Sequence, residues 1–352
     1  MHAVFRSIAV GLSITGAIFL APIAANAGGD RHDHHDRGPL EIEKQGSFFA
    51  GGVPFFTQTG NDTDIGDPRN PGTATINQTY VEFQIPAKKR FKYPVLMMPG
   101  GGHTQKIYES TPDGRDGWGT YYVRKGVSVY LSDGVNRGSS SWDLTQVVLA
   151  RQGNAPASAI PSMDRYTHET AWINFRIGPT FGVQHPGGQF PVQAFQQYAN
   201  QLVPAFRDPI EDTKNVNALV AAIDKIGPVV LHVWSQSGRF SIQAALQRPN
   251  LVKGIVMVEP AGGANVSQLT PAQIAALSHI PVLVIDGDFS TRGTTAQILG
   301  SNATSLWLPV DAGITGNSHV MMIERNNLKI ADLILDWIKD NVDNKRRPRG
   351  RH

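Results

Sequence analysis

The chain has 352 residues, and 41% of them are hydrophobic, which is enough for one large buried core. The net charge is +3, and a basic run at residues 345–351 contributes five positive charges, so the rest of the chain is mildly acidic. This distribution excludes nucleic-acid binding through a basic face. The chain has no cysteine, which excludes disulfides, so the fold must rest on its core alone.

The first 27 residues have the features of an export signal. Arg6 supplies a positive n-region, residues 8–20 are mostly apolar, and the triplet ending at Ala27 fits the small-residue cleavage rule. We expect cleavage after Ala27 and a periplasmic or secreted protein without a stable membrane anchor. The alternative is an uncleaved anchor, but the apolar run is shorter than the ~20 residues that a spanning helix needs.

Two polar segments flank the predicted domain. Residues 28–39 form a linker rich in histidine and aspartate, and residues 343–352 form a basic tail. Imidazole and carboxylate groups can bind metal ions, so metal binding by the linker is conceivable. The simpler expectation is a solvated linker, and we expect no catalytic metal there, because nothing packs such a segment into a closed site.

Apolar patterns predict an α/β domain over residues 40–342. Strands at 41–45 and 79–86 are expected to be antiparallel, whereas the short apolar runs at 95–98 and 127–132 are typical of buried parallel strands. The other predicted elements are helices at 120–125, 215–226 and 328–338 and strands at 229–234, 255–258 and 282–285. Together they predict a mostly parallel central sheet flanked by helices.

A long insertion precedes the strand at 229–234. Residues 139–206 show no strong periodicity but are rich in aromatic side chains, including Trp142, Trp172 and Phe175. Segments of this length in a compact domain are usually functional or disordered, and aromatic content argues against disorder. We predict a cap over the active site; the alternative is a packed surface extension that never contacts substrate.

The clearest motif lies where the strand at 229–234 stops at Ser235. Small residues and then a helical pattern follow, as in a nucleophile elbow, where a sharp strand-to-helix turn exposes a serine hydroxyl. Ser237 is the competing candidate, but it would put the long side chain of Arg239 at the tightest position of the turn. We therefore predict that Ser235 is the nucleophile.

A triple-glycine loop, residues 100–102, follows the strand at 95–98. Such a loop lets the backbone approach a ligand and aim N–H groups at it. In acyl transfer these groups stabilise the developing oxyanion, together with the N–H of the residue after the nucleophile. We assign Gly101 as one donor, with Gly102 as the alternative, and Gln236 as the other donor.

Two further groups follow Ser235 in the chain. Glu259 ends a predicted strand, and His319 lies in a glycine-rich loop just before the last predicted helix. The order oxyanion loop, serine, acid, histidine is that of α/β-hydrolases, so His319 is the predicted general base. His232 lies inside the nucleophile strand and is expected to be a core residue, and His103 is expected to line the pocket.

These motifs resemble those of a subfamily of secreted bacterial esterases in the α/β-hydrolase superfamily. The matching stretches are residues 46–52, 99–104, 111–118, 235–238, 258–260 and 316–322. The resemblance implies an α/β-hydrolase fold and ester hydrolysis. The chain departs from the family pattern at Pro99, where the loop usually opens with histidine, and at Val233 and Trp234, where Gly-His is usual.

The acid has two candidate positions. In most α/β-hydrolases it follows the strand corresponding to 282–285 in a G-x-x-D pattern, but here that pattern ends on Ser290. Asp286 and Asp288 lie nearby, out of that register. Glu259 ends the preceding strand, and its extra methylene suits the longer reach. We favour Glu259, with Asp288 as the alternative acid.

The sequence thus predicts a serine hydrolase that cleaves small-molecule carboxylic esters through an acyl-enzyme, with a triad of Ser235, Glu259 and His319. This chemistry needs no cofactor and no metal. Two alternatives stay open: lactone or amide hydrolysis on the same fold, and a catalytically degenerate module that only binds a ligand.

Overall fold

The computed structural model describes residues 38–57, 72–208 and 210–344. The predicted export signal, nearly all of the linker at 28–39 and the basic tail from residue 345 lie outside the described residues. Within the described part, no helix combines the length and the apolar character needed to cross a membrane.

The centre of the domain is an eight-stranded sheet with the order β1-β2-β4-β3-β7-β8-β9-β10. Its strands, and the separate antiparallel pair β5 and β6, are β1 (Ile42–Thr57), β2 (Gly72–Pro86), β3 (Val95–Met98), β4 (Val129–Ser132), β5 (Ser162–Asp164), β6 (Ala205–Arg207), β7 (Val229–Trp234), β8 (Val252–Val258), β9 (Val282–Asp286) and β10 (Ala303–Trp307). The six strands from β4 to β10 along the sheet are parallel, and β1 and β2 form an antiparallel edge.

The antiparallel edge is longer than the sequence pattern predicts. β1 continues to Thr57, beyond the expected 41–45, because it pairs along nearly the whole of β2. Glycines interrupt its apolar pattern, and one of them has a packing role. Gly51 has a φ of 68°, and a Cβ there would lie 3.2 Å from Ala218 Cα. The hairpin therefore needs glycine where it meets the helix that carries Ala218.

Ten α-helices are present in the described part of the chain. They are α1 (Lys106–Glu109), α2 (Trp118–Arg124), α3 (Thr145–Arg151), α4 (His168–Asn174), α5 (Phe195–Ala199), α6 (Glu211–Ile226), α7 (Ser237–Gln247), α8 (Pro271–Leu277), α9 (Thr295–Leu299) and α10 (Asn327–Ile338). The predicted helices at 215–226 and 328–338 correspond to α6 and α10. The prediction missed the first four residues of α6, because they are polar and do not show the apolar spacing of a buried helix face.

Helices cover both faces of the sheet. Side chains alternate along β3, so Val95 and Met97 join one core cluster and Leu96 and Met98 join the other. The first cluster includes side chains of α2 and α10, and the second includes those of α6 and α7. A parallel sheet buried on both faces explains why its strands are short, continuous apolar runs.

The segment at 139–206 forms α3, β5, α4 and α5 and contributes no strand to the central sheet. Its aromatic side chains pack on one another: the ring of Trp172 lies 5.2 Å from that of Phe195, and the ring of Phe190 lies 5.3 Å from that of Tyr198. These contacts give the insertion an ordered core of its own.

Candidate active site

Ser235 occupies a strained turn between β7 and α7. Its φ is 55°, in the left-handed region that non-glycine residues rarely adopt. Its N–H donates to Val258 O at 3.0 Å, and its carbonyl accepts from Gly238 and Ala261 at 3.1 and 3.0 Å. These three hydrogen bonds fix the backbone at the carboxyl end of β7, where Ser235 lines a cleft.

The turn requires small residues around it. A Cβ at Gly100 would lie 2.7 Å from Ser235 Cβ, and a Cβ at Gly238 would lie 2.9 Å from Pro260 Cβ. Val233, which replaces the usual glycine before the nucleophile, lies in the core cluster on the α6 and α7 side of the sheet. Gly238 therefore allows α7 to lie close to Pro260, and the side chain of Val233 points into the core and does not obstruct the turn.

Ser237, the competing nucleophile, has a structural place. It is fully buried, and its hydroxyl accepts from Trp234 N at 3.0 Å and lies 2.8 Å from Met98 O, to which it can donate. These contacts join the turn to the neighbouring strand β3. Ser235, in contrast, lines a cleft together with His319.

Glu259 follows β8 directly and lies against His319. Its Oε2 is 2.5 Å from His319 Nδ1, and its Oε1 accepts from Gly287 N at 2.9 Å. The glutamate is 5% exposed, and its φ of 42° is again in the left-handed region. Because Nδ1 faces a carboxylate, we assign the imidazole proton to Nδ1, which leaves Nε2 as a proton acceptor.

The two aspartates at and just after the end of β9 have other partners. Asp288, the alternative acid, accepts backbone N–H groups from Gly316 at 2.7 Å and Asn317 at 3.3 Å. Asp286 accepts from Gly293 N at 3.0 Å. Asp288 therefore supports the loop that carries His319, and Asp286 supports the loop that follows β9.

His319 is held from two sides by aromatic residues. The backbone N–H of His319 donates to the backbone carbonyl of Phe175 at 3.0 Å, and the Phe175 ring stacks on the imidazole with an interplanar angle of 6°. Its carbonyl accepts from Trp234 Nε1 at 2.7 Å. In the sequence Trp234 is only a departure from the family pattern, whereas in the structure its indole joins the serine turn to the histidine loop.

An arginine from the insertion completes this cluster. Arg176 Nη2 donates to Glu259 Oε2 and lies 3.0 Å from His319 Nδ1, so two N–H donors converge on one carboxylate oxygen. Burial, followed by the positive charge of Arg176, holds the pKa of His319 well below its ordinary value. The imidazole is therefore neutral at neutral pH, as a general base must be.

The predicted oxyanion donors lie in the same cleft as Ser235. Gly101, Gly102 and Gln236 line it, and its volume is about 330 Å³. Gln236 is the residue between the serine and the first residue of α7. A Cβ at Gly102, whose φ is 71°, would lie 2.4 Å from the Tyr166 ring, so the loop also needs glycine where the insertion covers it.

The remaining cleft wall is mixed. Its polar and charged residues are Arg137, Asp164, Tyr166, Asn174, Glu211 and Arg239, and its apolar residues are Phe175, Ala205 and Ala261. Asp164, Tyr166 and Asn174 belong to the insertion at 139–206 and face the same space as Ser235. The insertion therefore forms part of the wall of the cleft.

Two other histidines are buried. The ring of His232 lies 5.2 Å from that of Trp118 in the core, and burial lowers its pKa to about 3. His103 bonds through Nδ1 to Gly101 O at 3.0 Å and through Nε2 to the Tyr198 hydroxyl at 3.1 Å, and burial lowers its pKa to about 3 as well. Among the described residues, no group of three or more His, Asp or Glu side chains is placed to share a metal ion.

A mostly parallel sheet, a serine at a left-handed strand-to-helix turn and a histidine in a later loop define the α/β-hydrolase fold. A bacterial esterase solved at atomic resolution is 36% identical to this chain, with a TM-score of 0.77; the match covers 87% of this chain and 98% of the esterase. The chain belongs to the family of that esterase, and the predicted fold class is confirmed.

A curated relative extends the comparison. The probable secreted lipase phiG of Fungal sp. (strain ATCC 74256) is 29% identical over 315 residues, which cover 74% of this chain and 85% of the lipase. No protein-family model matches the chain. Both relatives are named as ester-cleaving enzymes, so the predicted activity is supported at the level of ester hydrolysis.

Proposed function

We propose that this chain is a serine esterase that hydrolyses carboxylic esters with Ser235 as nucleophile, His319 as general base and Glu259 as the acid. The observation that carries the proposal is the 2.5 Å contact between His319 Nδ1 and Glu259 Oε2 in the cleft that Ser235 lines. A carboxylate at Nδ1 orients the ring and leaves Nε2 to accept the serine proton.

The reaction proceeds in two halves. Ser235 Oγ attacks the ester carbonyl while its proton moves to His319 Nε2, and the imidazolium then protonates the leaving alcohol. The product of this half is an acyl-enzyme. Water next gives a proton to His319 and attacks the acyl carbon, and collapse of the second tetrahedral intermediate releases the acid and restores the Ser235 hydroxyl.

Charge develops on the carbonyl oxygen in both halves. We assign the N–H groups of Gly101 and Gln236 as its donors, because both residues line the cleft together with Ser235. In a characterised serine protease, loss of one such donor lowers kcat by about 10²- to 10³-fold. Imidazolium formation is favoured by the buried carboxylate of Glu259.

The insertion and the ends of the chain add two further proposals. Residues 139–206 form a cap, because Asp164, Tyr166 and Asn174 contribute to the cleft wall. The protein is exported, because residues 1–27 fit a cleavable signal and a relative is named as a secreted lipase. The secreted bacterial esterase subfamily is therefore the proposed closer affiliation.

A fluorophosphonate probe tests the proposal, because it phosphonylates only an activated serine. We expect labelling of the wild-type protein at Ser235 and hydrolysis of p-nitrophenyl butyrate, and neither with Ser235→Ala. Labelling without ester turnover would favour lactone or amide hydrolysis, which γ-lactones and p-nitroanilides would reveal. A wild-type protein that neither labels nor turns over any of these substrates is a ligand-binding module, and the proposal is wrong.

A further inference from the structure

A buried arginine joins both sides of the proposed oxyanion hole. Arg137 lies in the loop after β4, far in sequence from Ser235, and is 2% exposed. An arginine keeps its charge inside a protein, and a buried charge is tolerated only where partners satisfy it. The positions of those partners therefore indicate what the side chain holds in place.

One partner is the peptide group that contains the first proposed donor. Arg137 Nη1 donates to Gly100 O at 3.1 Å. The Gly100 carbonyl and the Gly101 N–H belong to one planar peptide group, and no peptide bond in the described residues is cis. The two dipoles therefore point in opposite directions, and fixing the carbonyl on Arg137 fixes the direction of the Gly101 N–H.

The second partner is the residue that carries the other proposed donor. Arg137 Nη2 donates to Gln236 Oε1 at 2.8 Å. Gln236 is at the beginning of α7, and its backbone N–H directly follows Ser235. The same guanidinium thus restrains the glycine loop after β3 and the turn after β7.

The third partner anchors the arginine. Arg137 Nη2 also donates to Glu211 Oε1 at 2.6 Å, and the side chain of Glu211 is 14% exposed. Glu211 begins α6, a helix of 16 residues packed on the sheet. The guanidinium is therefore fixed to a rigid element, and a rigid anchor is what precise orientation of two flexible segments requires.

We propose that Arg137 is the positioning residue of the oxyanion hole, which aligns the Gly101 and Gln236 N–H groups through Gly100 O and Gln236 Oε1. The inference rests on the proposed esterase function. Donation to Gly100 O also polarises the peptide group and makes the Gly101 N–H a stronger donor. Arg137 lines the cleft but is 2% exposed, and its hydrogen bonds go to Gly100 O, Gln236 Oε1 and Glu211 Oε1, so we assign its effect to the two donors.

The test compares three variants that each weaken one part of this arrangement. Arg137→Lys keeps the charge but replaces the planar fork, Gln236→Ala removes one acceptor and keeps the backbone N–H, and Glu211→Gln weakens the anchor. With p-nitrophenyl butyrate, we expect Arg137→Lys to lower kcat by about 10- to 100-fold with KM nearly unchanged, because an oxyanion contact forms in the transition state. The other two variants should show smaller losses of kcat in the same direction.

A transition-state analogue gives a second readout. A trifluoromethyl ketone accepts Ser235 Oγ at its carbonyl carbon, its oxygen becomes an oxyanion, and the serine proton moves to His319. Its inhibition constant should rise in proportion to the loss of kcat/KM across the three variants. Arg124→Met is the matched control, since Arg124 pairs with Asp116 at 2.8 Å away from the cleft. It should leave kcat and the inhibition constant unchanged.

Different results separate the possible failures. If Arg137→Lys raises KM and leaves kcat unchanged, Arg137 binds substrate and the assignment is wrong. If the melting temperature falls while kcat and the inhibition constant hold, the residue is only structural, and the assignment is again wrong. If Arg137→Lys does not fold, Gln236→Ala and Glu211→Gln decide the question by the same criteria. A wild-type protein without ester turnover or labelling would overturn the proposed function and this assignment together.

Discussion

His319 Nδ1 lies 2.5 Å from Oε2 of Glu259, which directly follows β8, the strand next to β7. Asp286, the last residue of β9, and Asp288, just beyond it, lie one strand further along the sheet. Since the acid needs to reach only the histidine, either strand end could supply it, and in this chain the carboxylate at the nearer strand end contacts the imidazole. The longer glutamate side chain and its left-handed backbone bring the carboxylate to the ring.

We predict that Glu259→Gln lowers kcat by about 10²- to 10⁴-fold, because the amide cannot stabilise the imidazolium or fix the active tautomer. Asp288→Asn should lower kcat by less than about 10-fold, with a lower melting temperature, because it weakens backbone contacts in the histidine loop. Steady-state rates at one pH, with melting curves in parallel, check both. If Asp288→Asn loses most of its kcat while Glu259→Gln stays close to the wild type, the acid is in the loop after β9.

The two serines of the turn should behave differently. Ser235→Ala should lower kcat by at least about 10³-fold, because the attacking oxygen is lost. Ser237→Ala should retain most of the activity and lose roughly 1 kcal/mol of stability, because its hydroxyl bonds are buried but lie outside the cleft. Ester turnover and urea unfolding measure these effects. Loss of turnover in Ser237→Ala alone would put the nucleophile two residues later.

In the pH profile of kcat/KM, the fall on the acidic side should have its midpoint below pH ~6.5, the ordinary pKa of imidazole. Burial and Arg176 lower the pKa of His319, so the neutral base persists to lower pH. Arg176→Gln removes a positive charge that disfavours the imidazolium, so this midpoint should move to higher pH. The pH profiles of wild type, Arg176→Gln and the control Arg124→Met measure the shift. A midpoint that stays in place or moves to lower pH contradicts the assigned influence of Arg176.

Acid should destabilise the fold through the buried histidines. The pKa of His232 is lowered to about 3 in the folded state, so between pH 6.5 and 3 the unfolded state binds more protons and stability falls as pH falls. At pH 5 the loss is roughly 2 kcal/mol for this group, given an unfolded pKa of ~6.5.

His232→Phe should therefore reduce the dependence of stability on pH. The free energy of unfolding, measured in urea at pH 5 and pH 7, gives the slope. An unchanged slope in His232→Phe would show that this histidine is not the source of the acid sensitivity.

The charged side chains in the cleft wall predict a preference for short acyl groups. A long alkyl chain would remove water from side chains such as Asp164, Glu211 and Arg239 without replacing their hydrogen bonds. We expect kcat/KM for p-nitrophenyl esters to be highest at two to four acyl carbons and to be at least about 10-fold lower at eight, since poor burial of charge costs more than alkyl burial gains. A rise through the eight-carbon ester would instead indicate lipase-like binding.

Much of the central sheet could be predicted from the sequence, because strands buried on both faces are continuous apolar runs. β3 was predicted at its observed bounds, and β9 was predicted one residue short. Most of β1 was missed, because its glycines hide the strand pattern while pairing with β2 decides its length. The local sequence pattern therefore predicts a strand well where both of its faces are buried, and poorly where pairing with a partner strand decides its length.

The candidate site could be predicted only in part, and the choice of its residues stays a prediction. Chain order and turn chemistry selected Ser235 and His319, but nothing local indicated Arg176, which reaches Glu259 across 83 positions of sequence. Arg137 was missed for the same reason, since its partner Gln236 is 99 positions away. Contacts between distant loops leave no periodic signal in a single sequence.

The indole of Trp234 has a consequence for any attempt to rebuild this enzyme. Its N–H is bonded to the carbonyl of His319, so the serine turn and the histidine loop are matched parts. If the serine turn alone were replaced by the turn of a relative with histidine at that position, the new turn would lack the indole that holds the histidine loop. The turn and the loop therefore have to be exchanged together.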